Sequence, residues 1–240
     1  MSNGSTAVDQ LPARFADWFS ARGWAPRAHQ LDVLDRSLAG ESLLLVAPTG
    51  SGKTLAGFLP SLVELEAAPK NRRSLHTLYI SPLKALAADI ARNLEGPVRE
   101  MDLPIVIESR TGDTRQSQRQ RQRTDPPDIL LTTPEQLSLL LAHPSAADLF
   151  SSLRCVVLDE LHALRKSKRG DLLALDLARL WTLAPGMRTI GLSATVDDPV
   201  PLQRCLVPQD GTDHALASLV RAPEAAKASV TVLTPGDTIP

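Results

Sequence analysis

The sequence predicts an α/β domain in three layers, a mainly parallel sheet with helices on both faces. Two observations carry this reading. Short apolar runs of strand length alternate along the chain with stretches of helical periodicity. Hydroxyl, acidic and glycine-containing segments follow the carboxyl ends of those runs, where open parallel sheets bind their ligands. The 240 residues, 43% of them hydrophobic, suffice for one such domain with a sizeable core, or for one domain plus a tail. The expected division is a disordered start over 1–10, a domain over 11–208 and a tail or linker over 209–240.

Composition narrows the partners. A net charge of −1 gives no global basic field, so any nucleic-acid contact must come from local patches. Four Phe, one Tyr and three Trp leave few rings for base stacking. Cys155 and Cys205, without CxxC spacing, read as reduced thiols and not as a zinc or disulfide framework. The amino terminus lacks a signal-peptide pattern, and no apolar stretch approaches the ~20 residues of a membrane span. The expected location is the cytoplasm, with no membrane partner.

In chain order, Leu11, Phe15, Trp18 and Phe19 share one helical face ending near Gly23. After Trp24-Ala25-Pro26, Leu31, Leu34 and Leu38 repeat at helical spacing. Gln30 stands at the start of this helix, with Arg27 just before it. The Gln30 amide offers a donor and an acceptor that match adenine N6 and N7, so Gln30 is a candidate for nucleotide binding.

The strand Leu43-Leu44-Leu45-Val46 leads into Ala47-Pro48-Thr49-Gly50-Ser51-Gly52-Lys53-Thr54, and a helix follows through Leu55, Phe58, Leu59, Leu62 and Val63. Strand, tight loop and helix are the context of a phosphate-binding loop. Gly50 and Gly52 let the backbone curl, so that N–H groups along Thr49 to Thr54 converge on one anion. The helix start adds unpaired N–H groups and a positive dipole end. Lys53 supplies charge for the β- and γ-phosphates, and the Thr54 hydroxyl is placed for Mg²⁺. ATP and Mg²⁺ are the expected ligands. Ala47 stands where the pattern normally has Gly.

Leu75–Ile80 reads as the second strand, followed by Ser81 and Pro82 as cap and first turn of a helix containing Lys84. Ile105–Ser109 is a third strand, leading into Arg110-Thr111-Gly112-Asp113-Thr114. Arg115, Arg119 and Arg123 then stack on one helical face, which serves equally as a solvated surface or a phosphate contact. Asp128–Thr133 is the fourth strand, with Thr133 capping and Pro134 opening the next helix. Ser81, Pro82 and Lys84 offer a phosphate-backbone contact or an ordinary helix cap, and Thr132, Thr133 and Pro134 offer hydroxyl and N–H groups that could hold a phosphate.

The fifth strand, Arg154–Leu158, is apolar enough to be buried on both faces and ends in Asp159-Glu160-Leu161-His162. An acidic pair here, downstream of a phosphate-binding loop, predicts Asp159 as an Mg²⁺ ligand and Glu160 as the group that polarises the attacking water. His162 is either a packing residue or a relay of the γ-phosphate state. Lys166, Lys168 and Arg169, before a long helix ending at Leu183, either touch a nucleic-acid strand or are solvated. Arg188–Leu192 is the sixth strand, with Ser193-Ala194-Thr195 placed to bond the acidic site. A short helix over 198–207 and a last strand, Ser229–Leu233, complete the reading.

Taken together, these stretches resemble the first RecA-like motor domain of superfamily 2 helicases of the DExH-box type, over roughly residues 24–208. Ser-Pro-Leu-Lys-Ala-Leu, Arg-Thr-Gly-Asp-Thr, Leu-Asp-Glu-Leu-His and Ser-Lys-Arg-Gly-Asp-Leu resemble the Lhr-type DNA helicases, and within them the bacterial ligase-associated DNA-damage-response branch. The resemblance implies Lys53, Asp159, Glu160 and His162 as catalytic residues, Arg27 beside Gln30 as nucleotide-binding, and Ser193, Ala194 and Thr195 as coupling residues. It implies Ser81, Pro82, Lys84, Arg110, Thr111, Gly112, Thr132, Thr133 and Pro134 as nucleic-acid contacts. It also implies single-stranded DNA as partner, with RNA as the alternative, and a DNA repair setting that includes a ligase-associated complex. Such helicases carry a second RecA-like domain whose arginines complete the ATP site, and this domain is expected to be absent from the chain. Slow hydrolysis by the chain alone follows, since an arginine supplied across a site is worth roughly 10³–10⁵ in rate. The competing classes are a small-molecule P-loop kinase and a nucleotide- or DNA-binding remnant without motor activity.

Overall fold

The computed structural model describes residues 11–69, 73–165, 167–209, 211 and 215–223, without the side chains of 84–89. Along them run α1 (Ala13–Ala21), α2 (Ala28–Leu38), β1 (Leu43–Val46), α3 (Lys53–Ala67), β2 (Thr77–Ile80), α4 (Lys84–Glu100), β3 (Ile107–Arg110) and α5 (Gln116–Thr124). Then come β4 (Ile129–Thr132), α6 (Pro134–Leu141), α7 (Ala146–Phe150), β5 (Cys155–Leu158), α8 (Leu161–Arg165), α9 (Lys168–Leu183), β6 (Arg188–Ser193), α10 (Val200–Arg204) and β7 (Ser218–Arg221).

The seven strands form one sheet in the order β3-β4-β2-β5-β6-β1-β7, and every neighbouring pair is parallel. Period-two alternation divides each strand between two cores. Leu43, Leu45, Tyr79, Ile129 and Val157 face α1 to α4. Leu44, Leu78, Leu130, Val156 and Leu158 face α6 to α9. The predicted three-layer α/β architecture is therefore the one observed. Among the described residues no helix is long and apolar enough to cross a membrane, and both cysteines are free.

Three local expectations are corrected. The domain does not end at 208, because β7 adds to the sheet by pairing in parallel with β1, Leu44 opposite Leu219. The strand expected at 229–233 lies outside the described residues. Ser81 and Pro82 do not open a helix. Ser81 N–H bonds Thr132 O at 3.1 Å, which continues the β2 ladder, and α4 begins at Lys84 after Leu83. β3 starts two residues later than expected, because Val106 N–H is taken by the Asp128 carboxylate at 2.8 Å.

His76, just before β2, lies 3.5 Å from Glu64. Burial pushes its pKa down to about 4; Glu64 pulls upward, while Arg188 and Arg154 push down. The unfolded chain, with an ordinary histidine, therefore takes up this proton first. Stability is full above pH ~6.5 and falls as pH drops toward about 4, by up to about 3 kcal/mol. Urea unfolding between pH ~7 and ~4.5 should show a shallower fall in His76→Gln than in the parent chain. Equal slopes would place the acid sensitivity elsewhere.

Candidate nucleotide and strand-binding site

The strand order puts β5, β6 and β1 side by side, so their carboxyl ends bring the acidic box, Ser193 and the phosphate-binding loop together. β3, β4 and β2 form the other half of the sheet, and their ends carry the candidate strand contacts. The two halves meet where β2 pairs with β5.

Ala47 N–H bonds Ser193 O at 3.1 Å, which ties the loop's start to β6. Gly50 (φ 76°) and Gly52 (φ 80°) take the left-handed conformation the loop requires, and α3 begins at Lys53. Lys53 Nζ donates to Ala47 O at 2.8 Å and Pro48 O at 3.0 Å, so the ammonium is held across the mouth of the loop. Thr49 is exposed, Thr54 is half-buried, and Ser51 is buried with an Oγ that lacks a partner. This cradle fits a phosphate chain, with the positive-φ glycines and a helix start behind one lysine.

The segment before α2 braces this loop from outside. Arg27 Nη1 donates to Gly50 O at 3.2 Å, His29 Nε2 to Ser51 O at 3.0 Å, and Gln30 Nε2 to Gly52 O at 3.3 Å. Gln30 Oε1 in turn accepts Arg27 N–H at 2.9 Å. Both ends of the predicted base-reading amide are thus engaged with backbone, and reading a base requires Gln30 to exchange the Gly52 carbonyl. His29 is buried, and burial lowers its pKa, against the raising effect of its Ser51 bond. A neutral ring that donates from Nε2 leaves Nδ1 without a partner. A cavity of about 320 Å³ lies here, lined by Phe19, Trp24, Arg27, Gln30, Gly52 and Leu55 among others. Trp24 is 54% exposed; an isolated tryptophan ahead of a helix gave no signal that it would line a cavity.

At the acidic box, Asp159 N–H bonds Ile80 O at 2.9 Å and the side chain is buried. Its Oδ1 accepts Glu160 N–H at 2.9 Å, and its Oδ2 accepts the Tyr79 hydroxyl. Tyr79 is fully buried, stacks on Phe58 and has its pKa raised, first by burial and then by Asp159. It keeps its proton and holds the carboxylate from the β2 side. Sequence reasoning missed this residue, because its partner lies 80 positions away. Glu160 sits at φ 48°, a conformation rare for a residue with a side chain. Its Oε2 is 3.4 Å from His162 Nε2, and His162 Nδ1 is 3.2 Å from Ser193 Oγ. His162 therefore bridges the acidic box and the β6 end. Ala194 is half-buried and Thr195 exposed beyond it.

The strand-side candidates divide. Ser81 and Thr132 are fully buried, and Thr132 Oγ1 donates to Arg110 O at 2.9 Å. Arg110, expected to reach a strand, is instead 4% exposed, with Nη1 on Arg119 O at 2.9 Å. Burial, with Arg119 and Arg123 nearby, pushes its pKa down to about 10. Arg119 turns back onto the carbonyls of Thr111 and Gly112, so it braces that loop. Thr133 and Pro134 open α6 as predicted and are buried. Gly112 is exposed, and Thr111 and Pro82 are half-buried at the surface of these loops. The Lys84 side chain lies outside the described part.

The DEAD/DEAH box helicase profile matches residues 27–202. The chain belongs to the DEAD/DEAH box helicase family. It is 45% identical over 177 residues to the ATP-dependent helicase Lhr-Core of Methanothermobacter thermautotrophicus, a match covering 69% of this chain and 20% of that protein. It is 41% identical over 224 residues to a Mycolicibacterium smegmatis protein named "Lhr helicase/ probable uracil glycosylase", covering 88% of this chain and 15% of that one. The structure of Mycobacterium smegmatis helicase Lhr bound to ssDNA and AMP-PNP superposes with a TM-score of 0.79 at 38% identity, over 92% of this chain and 29% of the other. The chain thus spans a fifth or less of the two relatives' lengths. DEAD/DEAH membership sets aside the small-molecule kinase reading, and the phosphate-binding loop and DExH box fall within the matched residues.

Proposed function

We propose that this DEAD/DEAH box domain is the ATP-binding part of a motor that hydrolyses ATP to move on and unwind nucleic acid. The observation that carries it is the path of contacts from the phosphate-binding loop through Ser193 and His162 to Glu160, whose carboxylate lies 3.4 Å from His162 Nε2. ATP would lie along Thr49 to Thr54, with its base toward Arg27 and Gln30. Lys53 would exchange the Ala47 and Pro48 carbonyls for β- and γ-phosphate oxygens. Mg²⁺ fits the donors present. Asp159 receives two hydrogen bonds that fix the orientation of its carboxylate, and with the Thr54 hydroxyl it would hold the ion. The ion supplies charge neutralisation on the phosphates. Glu160 orients and polarises the attacking water, and His162 passes the state of that carboxylate to Ser193. A second RecA-like domain would contribute arginines from across the cleft.

Single-stranded DNA is the favoured track, because the solved Lhr relative binds ssDNA; RNA is the alternative. Among the described residues, the strand-side candidates that reach the surface, Pro82, Thr111 and Gly112, present backbone and small side chains, which suits phosphate and sugar contacts with little base readout. A cytoplasmic setting in DNA repair, including a ligase-associated complex, follows from the resemblance in motif detail. The test is ATP hydrolysis with and without single-stranded DNA, beside Lys53→Ala. The chain alone is expected to be slow but lysine-dependent. Turnover indifferent to Lys53 would overturn the reading.

A further inference from the structure

The Arg169 side chain is 37% exposed, yet its donors are taken by protein partners and are not free for a nucleic-acid strand. Its Nε and Nη2 donate to the two carboxylate oxygens of Glu135 at 2.5 and 3.0 Å, and its Nη1 donates to Pro82 O at 2.7 Å. One guanidinium thus spans the loop after β2 and the first turn of α6, two segments from different strand ends.

The residue beside it is seated on the acidic box's own helix. A Cβ on Gly170 would lie 2.5 Å from Leu164 O, 2.9 Å from Arg165 Cα and 3.0 Å from Arg165 O. All three are backbone atoms of α8, which cannot swing aside as a side chain can. Ser167 fixes the same junction, with Oγ on Leu164 O at 2.8 Å and its carbonyl accepting Gly170 N–H at 2.8 Å. α8 in turn hangs from Glu160, whose carbonyl accepts Ala163 N–H at 2.8 Å and Leu164 N–H at 3.1 Å.

We propose that Arg169 and Gly170 are positioning residues that carry movement of the acidic box to the strand-holding loops: the bare backbone at 170 rides on α8, and the 169 guanidinium pulls the Pro82 loop and α6 together. This route runs along α8 and α9 and is separate from the His162–Ser193 contact. It rests on the proposed function.

The experiment measures the affinity of the full 240-residue chain for fluorescein-labelled oligo(dT), with and without AMP-PNP and Mg²⁺. It is repeated in reverse, as nucleotide affinity with and without DNA. Linkage requires the same factor both ways, typically about 5- to 150-fold. Arg169→Ala should bring that factor to within about twofold of unity while nucleotide affinity without DNA and the melting temperature stay at parental values. Arg169→Lys keeps a charge but cannot fork across Glu135 and Pro82, so it should fall between. Gly170→Ala should share the loss. An undiminished factor in Arg169→Ala overturns the inference, as does a parallel loss of both affinities with the factor intact, which marks a merely structural role. A parent chain that binds neither ligand overturns the proposed function, and the inference with it.

Discussion

Glu160→Gln is expected to leave nucleotide binding intact and to cut hydrolysis by about 10²–10⁴-fold, the range a positioned general base contributes. The geometry isolates that effect. The substitution preserves side-chain size, so the left-handed backbone at φ 48° is no more strained than before. A glutamine amide of the same size takes the place of the carboxylate, 3.4 Å from His162 Nε2, so the contact that leads on to Ser193 survives. Asp159, held by Tyr79 and by the Glu160 N–H, is untouched. What disappears is the negative charge proposed to draw a proton from water. Single-turnover hydrolysis beside direct nucleotide binding separates the two effects. A variant that hydrolyses at the parental rate would move water activation to another group, and one that fails to bind would make Glu160 a binding residue.

The sheet was readable because its strands are buried on both faces. Leu43–Val46, Leu78–Ile80 and Val156–Leu158 are apolar runs with no polar residue to confuse the period. The segments at their ends were readable as loops on one edge of the sheet because each follows the carboxyl end of such a run. β7 was not. Ser218–Arg221 holds two apolar residues between a serine and an arginine, and it is a strand only because the β1 edge supplies the partner. Local sequence carries no record of that edge.

The direction of a side chain was the other hidden quantity. Arg110 and Thr132 have the right chemistry for a strand contact, but the pairing of β3 with β4 places them opposite each other and inside. Tyr79 reads as one more core residue until the β2–β5 pairing puts its hydroxyl on Asp159. Arg169 reads as a surface cation until α9 is placed against Glu135. In each case the residue type was visible and its partner was a consequence of strand order.

Gly52→Ala should lower both stability and nucleotide affinity, and the two causes can be told apart. At φ 80° an alanine carries a backbone cost of about 1–2 kcal/mol. Its Cβ would also stand 2.7 Å from Gln30 Nε2. That amide is the end of a flexible side chain, yet it is buried and pinned by Arg27 N–H on one side and Gly52 O on the other. Relieving the contact pushes the Gln30 amide off the position from which it is proposed to exchange the Gly52 carbonyl for the base, so nucleotide affinity should fall by about tenfold or more. In Gln30→Ala the obstructing amide is gone, and adding Gly52→Ala should then cost only the backbone share. The double-mutant cycle should therefore be non-additive in urea unfolding, with a coupling of about 0.5–3 kcal/mol. Strict additivity would mean that the loop and the Gln30 amide act independently, and that the brace formed by Arg27, His29 and Gln30 has no part in shaping the phosphate cradle.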